Sequence, residues 1–240
     1  MKFKATALIV SATALWLAMG SAALASPLSH KPAAPPQVTG SRLQSALLPV
    51  SAFGDGFTVA GPLNTGNKLR SGRAVIKPSS LSCIDFEEYI FVGGFGDTAG
   101  ATEGFQNQNP AFADYPSIIL VGDQAVLQFK SDQAATSFYN QAFAKYKQCS
   151  AFTESFPEFQ LELTNQSLSK TTINKNTAFQ LIQYVDVSSA PAVNFYENTA
   201  VVLDGTNVYT IDDLNGTNDP ISASLLGELV NRVQALYKHH

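Results

Sequence analysis

Apolar and polar positions alternate along much of this chain, and elsewhere the apolar ones recur at helical spacing. Phe159, Leu161 and Leu163 alternate with Gln160 and Glu162, so this stretch predicts a strand with one buried face and one wet face. Ala178 to Val187 predicts another strand. Val193 to Leu203 and Thr206 to Ile211 flank Asp204-Gly205, the strongest hairpin signal in the chain. Ser117 to Val121 and Ala125 to Phe129 flank Gly122-Asp123, which reads as a second hairpin turn. Phe86 to Val92 is an apolar, aromatic run ending at Gly93-Gly94, and it too predicts a strand.

Helical spacing appears three times. Leu43, Ala46 and Leu47 predict a short helix stopped by Pro49. Ala135, Phe138, Ala142, Phe143 and Tyr146 form the stripe of a helix capped by Ser131 or Asp132 and running to about Gln148. Leu225, Leu226, Leu229, Val230, Val233 and Leu236 mark a C-terminal helix, with Asp219 as its cap and Pro220 at its first position. Hairpins plus a few amphipathic helices give an expected α+β domain: an antiparallel sheet with helices packed on one face.

The first 25 residues follow a different pattern. Lys2 and Lys4 precede an apolar run from Ala5 to Ala18, and Ala23-Leu24-Ala25 supplies a cleavage signal. Residues 1–25 therefore read as a signal peptide, 26–40 as a disordered Pro-rich tether and 41–240 as a single domain. The expected location is secreted, with no membrane span. The formal net charge is −4, and loss of the two leader lysines makes the chain more acidic. Such a chain offers no basic footprint for nucleic acid or an anionic membrane. Cys83 and Cys149 are its two cysteines, and in an exported chain an even count favours a disulfide over two free thiols or an intermolecular bridge.

Three candidate chemistries are weighed against plainer readings. Gly94-Phe95-Gly96-Asp97-Thr98-Ala99 matches a loose dinucleotide fingerprint, yet the residues after it are poor helix formers, so no cofactor is expected. A glycine-rich loop leaving a strand is the better account, and such a loop can line a pocket. Phe95, Phe105 and Tyr115, with Gly94, Gly96 and Asp97, are the candidate ligand-binding residues. Asp213, Asn215, Thr217 and Asp219 place oxygens at alternate positions, as a calcium loop does. The glycine and the closing glutamate of such a loop are missing, so a polar turn entering a helix is preferred and no metal is expected. His30, His239 and His240 are the only histidines, which leaves no imidazole for triad or zinc chemistry in the domain's interior. A glycosidase needs only two carboxylates, and Asp85, Glu87, Glu88, Asp97, Glu103, Glu158 and Glu162 are candidates. On a strand, Glu87 and Glu88 would point to opposite faces.

Three stretches carry a resemblance: LLPVSAFGDGFTV, LSCIDFEEYIFVGGFGDTAGAT and QAVLQFKSDQAATSFYNQAFAKYKQCSAF. Over roughly residues 42–238 the chain resembles exported sensor-domain-like proteins and lipoproteins of actinobacteria, and through them the extracellular domain of PknH-type receptor kinases. The resemblance implies an α+β domain with a groove for ligand sensing, and pairs Cys83 with Cys149. It brings no catalytic residue. Receptor-kinase relatives tend to carry a second disulfide and a tryptophan before the helix-terminal cysteine; here there is no second pair, and Tyr146 occupies that region. The expected function is non-catalytic binding of a small molecule or cell-envelope component. An extracellular protein-interaction module, with another envelope protein as partner, is the first alternative. A His-free carboxylate glycoside hydrolase is the second.

Overall fold

A computed structural model describes residues 36–60, 64–65, 75–107, 120–155, 160–188, 194–213 and 217–238. The expected signal peptide lies outside the described residues, as does the tether up to residue 35. The remainder of that tether is not free chain. Val38 is 3 % exposed, and its N–H donates to Gln128 Oε1 on the sheet (3.0 Å), so packing begins before Ser41.

Among the described residues the sheet has nine strands: β1 (Thr58–Val59), β2 (Asn64–Thr65), β3 (Asp97–Asn107), β4 (Leu120–Phe129), β5 (Ala151–Ser155), β6 (Gln160–Ile173), β7 (Asn176–Val187), β8 (Asn194–Asp204) and β9 (Asn207–Asp213). They lie in the order β1-β3-β4-β9-β8-β7-β6-β5, with β2 also paired to β3. Every pair is antiparallel. The expected hairpin between β8 and β9 forms, its turn carried by Gly205 at φ 57°. Among the described residues four α-helices accompany the sheet: α1 (Gly40–Ala46), α2 (Cys83–Val92), α3 (Asp132–Gln148) and α4 (Ala223–Tyr237). The fold class is α+β, as the sequence pattern predicts. No helix among the described residues is long and apolar enough to cross a membrane.

The helices cover both faces of the sheet rather than one. Successive strand residues point to opposite faces, and both parities of the central strands are apolar. Val126, Ala200, Val202, Tyr209 and Ile211 pack with α1 and α4. Ala125, Leu127, Phe129, Phe179, Val201 and Val208 pack with α2 and α3. A disulfide joins Cys83, at the start of α2, to Cys149, the residue ending α3, with a sequence separation of 66.

Three predicted elements are corrected. Phe86 to Val92 belongs to helix α2, not a strand. A continuous apolar run fits either, and its flanks decide: Ser82 Oγ accepts from the Asp85 N–H as an N-cap, and Gly93 closes the helix at φ 74°. Gly122-Asp123 is no turn but the interior of β4. The glycine is there because the Phe105 ring of β3 lies across it; an added Cβ would sit 2.2 Å from that ring. The C-terminal helix is capped by Ser222, whose Oγ accepts from the Leu225 N–H, rather than by Asp219.

Candidate functional site

Toward one end of the α2/α3 face the apolar register gives out. Along β4 the inward positions run Phe129, Leu127, Ala125 and then Asp123. Along β9 they run Val208, Thr210, Asp212; along β8, Val201, Thr199, Glu197; along β7, Phe179, Leu181, Gln183. Strand register sets these residues side by side. Asp123 pairs with Asp212, Asp212 with Thr199, and Glu197 with Gln183. Above them α2 contributes Glu87, one helical turn beyond disulfide-bonded Cys83, and α3 contributes Tyr146.

Four carboxyl groups thus share one partly enclosed row. Burial is the largest influence on each of them, and mutual repulsion adds to it for three. Burial raises the Glu197 carboxyl to about 7, with the charges of Glu154 and Asp123 adding to the rise and a hydrogen bond with Asp212 opposing it. Burial lifts Asp123 to about 6. Asp212 and Glu87 are held well above the carboxylate range by burial and then by Glu197. No cationic side chain figures among the groups acting on these four. Lys145, the one buried cation among the described residues, donates instead to the Leu81 carbonyl (2.6 Å).

Neutral groups in the row are also unmet. Gln183 is 0 % exposed, yet neither its amide nitrogen nor its amide oxygen has a hydrogen-bond partner. Its amide lies beside Glu87 and favours the ionised carboxylate, but falls short of a closed hydrogen bond, and Glu87 Oε1 is itself without a partner. Thr210 Oγ1 is buried and unpaired as well. Thr199 donates to Asp212 Oδ1 (3.3 Å). The four acidic residues each keep some surface, so the row is not sealed from solvent.

The residues singled out by sequence lie elsewhere. Gly94, Phe95, Gly96 and Asp97 form the turn from α2 into β3, where Asp97 Oδ1 accepts from the N–H groups of Gly94 (2.7 Å) and Phe95 (3.0 Å). The Phe95 ring packs on Phe138 of α3, with centroids 4.7 Å apart. Phe105 is fully buried and stacks on Phe53 at 3.8 Å, on the side of the sheet that carries Ala101. The two rings are therefore not brought together. Tyr115 lies outside the described residues.

Of the calcium candidates, Asn215 lies outside the described residues. Asp213 points away from Asp212 by strand parity, Thr217 accepts from Asn198 Nδ2 through its carbonyl (3.2 Å), and Asp219 is exposed. Among the described residues no three His, Cys, Asp or Glu side chains are grouped to hold a metal ion. Of the carboxylate candidates, only Glu87 joins the row. Asp85 serves the α2 cap, Glu103 accepts from Gln124 (2.9 Å), and Glu162 is exposed, while Glu158 lies outside the described residues. Glu87 and Glu88 are successive helical residues rather than opposite sides of a strand.

Sequence reasoning missed Asp123, Gln183, Glu197 and Asp212. Their signal was a polar residue on the inward parity of an otherwise apolar strand.

No protein-family model matches the chain, and no significantly similar curated protein is found. Among solved structures, the fold is similar to the extracellular domain of PknH from Mycobacterium tuberculosis. The TM-score is 0.52 at 14 % identity, over 85 % of this chain and 98 % of that one. An Rv0999 ortholog from Mycobacterium smegmatis aligns with a TM-score of 0.35 at 11 % identity, over 80 % of this chain and 96 % of that one. The first likeness bears out, at the level of fold, the resemblance read from the sequence.

Proposed function

We propose that this chain is an exported, non-catalytic binding domain that takes a small molecule or cell-envelope component at the acidic row. The observation that carries this reading is the enclosed Gln183 amide with neither of its atoms satisfied, beside carboxyls that have no counter-charge. Leaving such groups unmet costs about 1–3 kcal/mol each. A ligand that supplied their partners would recover that free energy. The fold shared with an extracellular domain and the disulfide support export.

The test is native mass spectrometry of the mature protein from its source organism's culture supernatant, compared with the same sample after denaturation. A mass excess lost on denaturation supports the reading; a bare mass with no retained ligand counts against tight small-molecule binding. A second reading keeps the glycoside hydrolase, because carboxyls held at different protonation states are what that chemistry uses. Hydrolysis of chromogenic glycosides, abolished by Glu197→Gln, would establish it in place of simple binding.

A further inference from the structure

We infer that the row formed by Glu87, Asp123, Glu197 and Asp212 recognises a ligand bearing positively charged nitrogen, an alkylammonium or guanidinium group, with Gln183 bonding a neutral polar atom beside it. This deepens the binding reading above and rests on it. The first argument is charge. Four acidic side chains converge from α2, β4, β8 and β9, and the groups acting on them are burial, one another, Glu154 and Asp213, with no cation among them. A cation entering the row would replace repulsion by attraction in a site where water screens poorly.

The second argument is independent of charge. Gln183 is wholly buried, lies beside Glu87 and offers both a free donor and a free acceptor. A bare metal ion would leave the donor unmet. An organic cation has room for both a charged nitrogen and an adjacent acceptor.

Spacing separates organic cations from metals. Asp123, Asp212 and Glu197 stand on three neighbouring strands, and strands lie about 4.8 Å apart. Calcium needs six or more oxygens at about 2.3–2.6 Å from one point, and no such grouping is present among the described residues. Ammonium groups separated by methylene chains fit a row spread over several strands.

The groups that respond to pH and face the row are Glu87 from α2, Tyr146 from α3, Asp123 from β4, Glu154 from β5, Glu197 from β8 and Asp212 from β9. Gln183 of β7 is neutral. Asp123 and Glu197 lose their protons as pH climbs through about 6 to 7, so cation binding should strengthen over that interval.

The experiment is titration calorimetry of the mature chain with spermidine at pH 8 and pH 5, with calcium chloride as a second probe. Saturable spermidine binding at pH 8, weakened at least about tenfold at pH 5, is the expected result. Glu197→Gln with Asp212→Asn should abolish it, while Glu103→Gln, an acid on the opposite face, should leave it intact. Because neutralising the row removes repulsion, the double variant is expected to fold, which its melting curve checks. Absence of spermidine binding, binding unchanged in the double variant, or binding of calcium in its place would overturn the inference. A neutral ligand found by native mass spectrometry, with no response to spermidine, would also overturn it while leaving the binding reading intact.

Discussion

Buried glutamines on the two faces of this sheet are satisfied in opposite ways. On the α1/α4 face, Gln124 and Gln128 of β4 act as clamps. Gln124 accepts from the Leu48 N–H (2.9 Å) and donates to the Leu48 carbonyl (2.8 Å) and to Glu103 (2.9 Å). Gln128 accepts from the Val38 N–H and donates to the Tyr237 hydroxyl, which in turn reaches Asn207 (3.0 Å). These amides stitch the segment around α1 and the end of α4 onto the sheet. On the α2/α3 face, Gln183 is just as buried and bonds nothing, among carboxyls that repel one another. Buried polar groups that are fully paired explain themselves structurally. The unpaired Gln183 amide is what the proposed ligand would satisfy.

The largest effect expected is on the roof of the acidic face. Replacing Cys83 and Cys149 by serine removes a cross-link over 66 residues and should cost about 4 kcal/mol of stability by chain-entropy reasoning, read from urea unfolding. Hydrogen exchange in α2 should rise more than in α4, because the bond holds α2, and with it Glu87, to α3. Equal loosening of both helices would break the comparison between the faces.

Two glutamine substitutions sharpen it directly. Gln124→Ala leaves both backbone groups of Leu48 unmet and should destabilise the fold by about 2–3 kcal/mol. Gln183→Leu removes an amide with an unmet donor and an unmet acceptor, and should leave stability unchanged or raise it by up to about 3 kcal/mol. Similar losses for both would mean that Gln183 is a structural residue like Gln124.

Acidity should also separate the faces. Glu197 and Asp123 have folded-state values of about 7 and about 6, above those of an unfolded chain. Folding therefore takes up protons between about pH 4 and pH 7, and stability falls as pH rises through that interval. The stability gained below it, relative to pH 8, should be of order 1–3 kcal/mol. Melting temperatures measured from pH 5 to pH 8 check this. The smallest expected effect is that of Glu103→Gln: burial raises this carboxyl too, but it is less enclosed and accepts from Gln124, so its loss should flatten the slope only slightly.

The contrast between faces also marks what could be read in advance. Period-two alternation marks β6, the Asp204-Gly205 turn marks β8 and β9, and the α3 stripe with its serine cap is plain. The cysteine pair and the overall class followed from composition, pattern and resemblance. The α2 region reads as a strand because an apolar run has no period of its own, and the Ser82 cap that makes it a helix lies outside that run. Gly122 looked like a turn because its cause, the Phe105 ring, comes from another strand and cannot be seen locally. The acidic row has the same character. Asp123, Gln183, Glu197 and Asp212 are far apart in sequence, and only strand register brings them together. Individually each is an ordinary polar residue; the anomaly lies in their shared inward parity.

The most direct test compares the stability of the wild-type chain with that of Glu197→Gln/Asp212→Asn, by urea unfolding at pH 8. If the acidic row is maintained at a cost to the fold, the double variant is more stable than wild type at pH 8, and its dependence on pH flattens. If the variant is less stable at pH 8, those carboxylates are partners that hold the sheet together, and the account of an unpaired, ligand-directed face is wrong.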